Sequence, residues 1–304
     1  MKILITGGAG FIGSSIIPEL QKSGHNIFVI DNLSFGKRHL AKVSDSFFSK
    51  VDLRDKDKVE LIFNKFKPDW VVHLAAIHFI PYCNKNPIET FDVNIKATLE
   101  LLNIARKYNN LKGFFLASTA AVYPIYDYAI NESLEPGPLD IYGTSKLICE
   151  HLLKEFYLET SINSIVCRFF NAFGPNETNP HLIPEILNQI QNGNRTIRLG
   201  NLEPKRDFIH TYDMARAVTG LIEKSVDGFE IFNLGRGIEY SVIDIVKAFE
   251  NSINDKITIK QDSSRIRKSD RLHLLADITK LKNYLNWQPE ESLNSAIKKM
   301  TMIN

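Results

Sequence analysis

MKILITGGAGFIGS, residues 1–14, sets an apolar strand (Ile3-Leu4-Ile5), a glycine turn and the start of a helix end to end. A helix start leaves backbone N–H groups unpaired and pointing outward, so a pyrophosphate can rest there if no side chain intervenes. Gly8, Gly10 and Gly13 match G-x-G-x-x-G, while Gly7, Gly10 and Gly13 match the looser Gly-x-x-Gly-x-x-Gly, both in the strand-turn-helix setting that the motif requires. Phe11 and Ile12, with Ile16 and Ile17, supply the apolar residues of the helix. The stretch predicts a dinucleotide turn lined by Gly7, Gly10, Phe11, Ile12 and Gly13. The competing reading is an ordinary tight turn between strand and helix.

Working outward, Ile27-Phe28-Val29-Ile30 reads as a second buried strand ending at Asp31, where an acidic side chain can take the two hydroxyls of an adenosine ribose. A carboxylate there, with Asn32 beside it, repels a 2′-phosphate and favours NAD over NADP; Lys37 and Arg38 argue the other way. Phe47 to Asp52 reads as the third strand, placing Asp52 and Leu53 at the adenine position, although Asp52 reads equally as a helix N-cap. Helical spacing over 55–66 leads into the strand Trp70-Val71-Val72-His73-Leu74-Ala75-Ala76, whose small end residues suit close passage of a dinucleotide backbone. His73 reads as a structural histidine and His78, just past the strand end, as a pocket residue. A helix over Ala97–Tyr108 follows, with Asn94, counted among the cofactor contacts, in its first turns. The strand Phe114-Phe115-Leu116-Ala117 then completes an alternation that predicts an α/β fold with a doubly wound parallel sheet.

That strand delivers Ser118-Thr119-Ala120-Ala121 to the same sheet edge, and Tyr142-Gly143-Thr144-Ser145-Lys146 follows. Four residues make one helical turn, so Tyr142 and Lys146 share a face. A free phenol, with a pKa of about 10, is a poor base at neutral pH; a neighbouring cation stabilises the phenolate, and each unit of lowering needs about 1.4 kcal/mol. Tyr142 is therefore expected as a general base and Lys146 as its tuning cation. Thr119 would bond the same substrate hydroxyl, with Ser118 the competing donor.

The 304 residues exceed what one hydrophobic core usually holds, so two lobes are expected. A formal charge of +2, with acids and bases interspersed, gives no sign of a nucleic-acid stripe or a polybasic membrane anchor. Cys83, Cys149 and Cys167 stand at no metal-ligating spacing, which predicts reduced thiols and no metal site. The N-terminus reads as the first core strand, so no cleavable signal is expected, and no apolar run is long enough to span a bilayer. The expectation is a cytoplasmic protein.

Ordered blocks over almost the whole chain resemble the extended short-chain dehydrogenases/reductases, and within them the nucleotide-sugar 4-epimerases. The blocks are ITGGAGFIG, DNLSFGK, VVHLAA, LASTAAVYP, YGTSK, RFFNAFGP, PHLIP, RDFIHTYDMARAV, FNLGRGIEYSV, LHLLAD and LNWQP. The resemblance implies a Rossmann-type domain over 1–170, to which segments near 206–235 return, and a smaller nucleotide-sugar domain over 171–304. It implies tightly held NAD and a UDP-hexose that passes through a 4-keto intermediate. Tyr142 would be the base, Lys146 would bind the nicotinamide ribose as well as tune Tyr142, and Thr119 would be the hydroxyl partner. Asn171 and Arg206 would face the substrate diphosphate, a surface ion pair with Asp207 being the alternative for Arg206. By analogy with the family's Arg-x-Gly-Asp, Arg267 and Asp270 would contact phosphate and nucleotide, with Ser269 in place of the glycine; the basic cluster of Arg265, Arg267, Lys268 and Arg271 reads otherwise as a solvated loop. The family also implies a homodimer through helices near 97–108 and 146–158, where Leu101, Leu102, Ile104, Leu147, Leu152, Leu153 and Phe156 either meet a partner or are buried within the monomer.

Three departures bear on the substrate. Thr119-Ala120-Ala121 lacks the acidic pair of the family's 4,6-dehydratases and the glutamate of its decarboxylases, so elimination loses its general acid. Leu274 falls where side-chain size admits or refuses an N-acetyl group, a difference of about 1 to 3 kcal/mol per methyl-sized change. His78-Phe79-Ile80-Pro81-Tyr82 differs from the commoner epimerase sequence, which leaves a uronate, pentose or heptose open. The alternatives to an epimerase are a dehydratase, decarboxylase or keto-reductase of the same fold, and a non-catalytic NAD-binding sensor.

Overall fold

The computed structural model describes residues 1–177, 179–263 and 271–302. In the first part of the chain strands β1 (Lys2–Thr6), β2 (Asn26–Asp31), β3 (Phe48–Lys50), β4 (Trp70–His73), β5 (Gly113–Thr119) and β6 (Asn163–Phe169) alternate with helices. These are α1 (Gly13–Lys22), α2 (Lys56–Phe66), α3 (Ile80–Lys85), α4 (Pro87–Phe91), α5 (Ala97–Ala105) and α6 (Ile141–Thr160). There follow β7 (Asn171–Phe173), α7 (Leu182–Gln191), β8 (Thr196–Leu199), β9 (Lys205–His210), α8 (Thr211–Lys224), β10 (Phe229–Leu234), β11 (Glu239–Ser241), α9 (Val242–Ile253), β12 (Thr258–Gln261), α10 (Thr279–Leu285) and α11 (Leu293–Met302).

Seven of these strands form one parallel sheet in the order β10-β6-β5-β4-β1-β2-β3. Helices cover both sheet faces, so its strands can be apolar at every position: Ile3, Leu4, Ile5, Val71, Val72, Phe114, Phe115 and Leu116 are all buried. The strand order reverses direction between β1 and β4. In an open α/β sheet that reversal splits the flanking helices and opens a crevice at the carboxyl ends of the two strands. Here the crevice is framed by the glycine turn after β1 and by Leu74-Ala75-Ala76 after β4.

Two glycines are dictated by geometry. Gly7 has φ +72°, and a Cβ there would sit 2.6 Å from the backbone nitrogen of Ala75. At Gly13 a Cβ would lie 2.5 Å from the carbonyl oxygen of Gly8, so only glycine lets α1 start this close to the turn.

Several local expectations shift. The third strand is shorter than 47–52: pairing with β2 ends at Lys50, which frees Asp52 to turn toward the crevice. The cap of α2 is Asp55, whose carboxylate accepts from the Lys58 backbone, so the N-cap reading of Asp52 falls away. The helix expected at 97–108 begins earlier, at Pro87, and contains a π-turn at Asp92–Lys96 that carries Asn94.

The second half of the chain builds a smaller lobe from a three-stranded sheet, β11-β9-β7, and a parallel pair, β12-β8. Ile183, Ile186 and Ile190 of α7 pack with Ile245 and Phe249 of α9 and Ile297 of α11 in a separate core. The chain also crosses back to the large sheet twice. Met214, Val218 and Leu221 of α8 and Leu281 of α10 belong to the first core, and β10 is the sheet's last strand. β9, within the returning segment, pairs instead in the small sheet.

Candidate active site

One cavity of about 1020 Å³ runs along the carboxyl edge of the large sheet and on between the two lobes. A single small ligand needs roughly 300–1,000 Å³, so the space suits two ligands laid end to end. Its first wall is made of strand ends. Gly7, Gly10, Phe11, Ile12 and Gly13 line it at the start of α1, which has no side-chain cap and so offers its free N–H groups to an anion. Asp31, Asn32, Asp52 and Leu53 line the far end, and Leu74, Ala75 and Ala76 the near one.

Asp31 is buried; its carboxylate accepts from the Ala9 backbone at 3.0 Å and the Leu33 backbone at 2.8 Å. Burial raises its pKa and those two N–H groups oppose the shift. Asp52 is held well below the ordinary carboxylate range by Arg54 and accepts from Asn32 at 2.9 Å. The competing cation Arg38 is turned away: it donates to Val43 O and Asp45 and stacks 4.2 Å over the Phe48 ring. An uncapped helix start followed by a buried carboxylate fits the pyrophosphate and ribose of a dinucleotide without a 2′-phosphate.

The middle of the cavity is the Tyr142 face. Asp140 caps α6 by accepting from the Gly143 backbone at 2.7 Å, which sets Tyr142 and Lys146 one turn apart along the wall. Thr119 lines the same wall, and its hydroxyl accepts from the Ala121 backbone at 3.1 Å. Burial dominates the electrostatics of Tyr142 and Lys146. It pushes the phenol above its ordinary pKa; Thr119 works against that rise, and Lys146 is not among the main influences. Burial likewise drives Lys146 toward its neutral form.

Two other expectations change. Asn94 is buried behind the wall, where its amide bonds both backbone groups of Ile77 and the Ser145 hydroxyl; it braces the wall. Ser118 borders the cavity, but its hydroxyl donates to Glu150, away from any substrate. His73 bridges Thr6 at 2.6 Å and Thr98 at 2.8 Å, and burial holds it down at about 3.

The second wall comes from the smaller lobe. The three-stranded sheet presents Asn171, Arg206 and Tyr240, with Tyr240 and Arg206 in register. Arg206 donates to the carbonyls of Lys205 and Arg271. Asp207 points the opposite way and accepts from the backbones of Arg236, Gly237 and Ala276, so it is not the partner of Arg206. Arg271 lines the cavity, donates to the carbonyls of Tyr123 and Pro124, and has its pKa lowered by burial, with Asp140 opposing the shift and Arg206 adding to it. Two guanidinium groups in one wall suit an anion. Arg267 and Asp270 lie outside the described residues, and Leu274 lines the same wall.

His78 lines the cavity on its exposed side and meets the Asn179 amide at 2.8 Å. His181 in turn pairs with Glu177, whose Oε2 meets no hydrogen-bond partner among the described residues and whose pKa burial raises. Glu177 and His181 were not singled out from the sequence; they sit on a loop with no periodic pattern. Arg271 was visible only as one member of a basic cluster.

A glycine turn, an acidic β2 end and a Tyr-x-x-x-Lys helix face on one parallel sheet define the architecture of a short-chain dehydrogenase/reductase. Residues 4–300 match the family model described as GDP-mannose 4,6 dehydratase. The chain is 33% identical to GDP-6-deoxy-D-talose 4-dehydrogenase of Aggregatibacter actinomycetemcomitans, over 94% of this chain and 91% of that one. It is 31% identical to UDP-glucose 4-epimerase of Bacillus subtilis, over 96% and 94%. The solved UDP-glucose 4-epimerase of Bifidobacterium longum, in complex with NAD+ and UDP, superimposes with a TM-score of 0.90 at 26% identity, covering 99% of this chain and 97% of that one. The chain belongs to the extended short-chain dehydrogenase/reductase family of nucleotide-sugar epimerases and dehydratases.

Proposed function

We propose that this chain is an NAD-dependent epimerase acting at C4 of a nucleotide-diphosphate hexose, with UDP-hexoses first among the candidates. The observation that carries this reading is that Thr119, Tyr142 and Lys146 line one cavity with the glycine turn. When bound, NAD supplies a reversible hydride acceptor, through which the sugar becomes a 4-ketone. Gly7 to Gly13 and Asp31 hold that cofactor, with Asp52 and Leu53 at its adenine end and Lys146 at its nicotinamide ribose. Tyr142 takes the proton of the 4-hydroxyl and later returns it, while Thr119 holds the same oxygen. Asn171, Arg206 and Arg271 hold the diphosphate. A firm grip there lets the sugar turn and offer its other side, which is differential binding.

Ala120 and Ala121 line the cavity directly after Thr119, so no carboxylate follows the threonine to serve elimination. A second reading, a keto-reductase, is favoured by the likeness to the talose 4-dehydrogenase. Incubating the protein with UDP-, dTDP-, GDP- and CDP-hexoses, followed by mass spectrometry and NMR, separates the readings. Epimerisation conserves mass and changes ring couplings; consumption of free NAD(P)H with a mass gain of two hydrogens would replace the epimerase by the reductase.

The remaining assignments belong to this proposal. Among the described residues the three cysteines are free and buried, and no helix is long and apolar enough to cross a membrane, which supports a cytoplasmic setting. Leu101, Leu102, Ile104, Leu153 and Phe156 are buried within the monomer core, so they do not form a dimer face. A homodimer through the same two helices would use the exposed Leu99 of α5 and Leu158 of α6; sedimentation at monomer mass would remove it.

A further inference from the structure

Behind the Tyr142 face lies a buried charged network that the proposed chemistry does not use. Glu150 sits on α6 one turn beyond Lys146 and two beyond Tyr142, and Lys146, Glu150 and Arg168 are only 2%, 3% and 3% exposed. Glu150 Oε1 accepts from the Ser118 hydroxyl and from Arg168 Nε at 3.1 Å, and its Oε2 accepts from Arg168 Nη2 at 2.6 Å. Arg168 Nη1 donates to the Tyr123 hydroxyl at 2.8 Å, and that hydroxyl donates to Asn233 Oδ1 at 2.8 Å. Ser118 and Arg168 are register partners on β5 and β6, and the next residue on β5 is Thr119. One carboxylate therefore ties the strand end that carries Thr119 to the helix that carries Tyr142 and Lys146. It also stands between two buried cations.

Resting on the reading of Tyr142 as the base, we propose that Glu150 is a positioning residue: through Arg168 and Ser118 it fixes the β5 end that carries Thr119 against the α6 face that carries Tyr142 and Lys146. The titratable groups around Lys146 are Tyr142, Cys149 and Glu150 on its own helix, His73 on β4 and His78 beyond it. Burial holds His73 at about 3, neutral at working pH, and Glu150 is the carboxylate of this set. Burial drives Lys146 toward its neutral form; Cys149 and Glu150 pull the other way.

Glu150→Gln alone strands the Arg168 charge and can prevent folding. The test therefore uses Glu150→Gln/Arg168→Gln, which removes both buried charges, with Tyr142→Phe as the reference. Melting temperature, bound NAD, kcat, KM and the pH profile of kcat are measured on each. The double variant is expected to fold, hold NAD and keep its KM, while kcat falls by about a hundredfold. A double variant with wild-type kcat and pH profile overturns the proposal and leaves the ion pair purely structural. Ser118→Ala, which keeps every charge, decides the point if the double variant does not fold. Its kcat should fall about fivefold at constant KM, and an unaltered kcat overturns the proposal. Wild-type kcat in Tyr142→Phe would instead overturn the reading on which the proposal rests.

Discussion

The two walls of the cavity are built by different means. The cofactor wall is made of strand ends and backbone: a glycine turn at β1, a carboxylate ending β2 and small residues after β4, all fixed by neighbours on one parallel sheet. The substrate wall is made of long side chains, with Arg206 and Tyr240 on two strands of a small sheet and Glu177, His181 and Arg271 on connecting segments. A backbone wall tolerates almost no change in shape, whereas a side-chain wall can be retuned one residue at a time. The difference explains how one frame serves relatives that include a GDP-sugar dehydrogenase and UDP-glucose 4-epimerases. It also predicts which measurable each wall controls.

Tyr142 stands where the walls meet, so its loss should remove turnover and spare both grips. In Tyr142→Phe, kcat is expected to fall by roughly 10²–10⁴, the range for a general base, with bound NAD and nucleotide-sugar affinity unchanged. A rate within twofold of wild type breaks the assignment. Asp31→Asn acts on the first wall alone. It replaces an acceptor that serves the Ala9 and Leu33 backbones, so NAD should bind about a hundredfold more weakly while NADP gains relative to it. Cofactor titration followed by fluorescence checks this; an unchanged NAD to NADP ratio would show that the ribose is read elsewhere. Arg206→Ala acts on the second wall. Loss of a charge-assisted phosphate contact of about 2 kcal/mol should raise KM roughly thirtyfold with NAD retained. Loss of NAD instead would merge the two walls into one.

The first wall was legible in the sequence because its determinants are local. Gly7 to Gly13, Asp31 and Leu74 to Ala76 each follow an apolar run that can only be a buried strand, and the parallel sheet brings those ends together. The spacing of Tyr142 and Lys146 was equally readable. Their charge states were not, since four residues fix a shared helix face but say nothing about burial, and burial decides both pKa directions. The bracing bonds of Asn94 were hidden for the same reason. A helical position does not tell which side chain opens on a cavity and which braces its back, and the π-turn turns Asn94 inward onto Ile77 and Ser145. The second wall was legible only as isolated cations, because Arg206 and Arg271 are brought together by a lobe whose strands pair across distant segments.

The smallest expected effect tests whether the backbone wall is as rigid as its geometry implies. His73 locks β4 to Thr6 of β1 and to Thr98 of α5 directly beneath the crevice. In the folded chain its pKa is held down at about 3, whereas an unfolded histidine titrates at about 6.5. Between those values the unfolded chain binds the proton and the folded chain does not, so stability is lost as pH falls from about 6.5 toward 3. The slope is about 1.4 kcal/mol per pH unit for this one group, or about 2 kcal/mol between pH 6.5 and 5. Urea midpoints of wild type and His73→Gln across that interval isolate the contribution, because every other titrating group is common to both. Glutamine cannot take up the proton, so the variant should start less stable at pH 7, where the two threonine bonds are disturbed, and close the gap as the medium is acidified. Parallel curves would mean that the wall breathes enough to let His73 protonate in place, and the rigid half of the comparison would no longer hold.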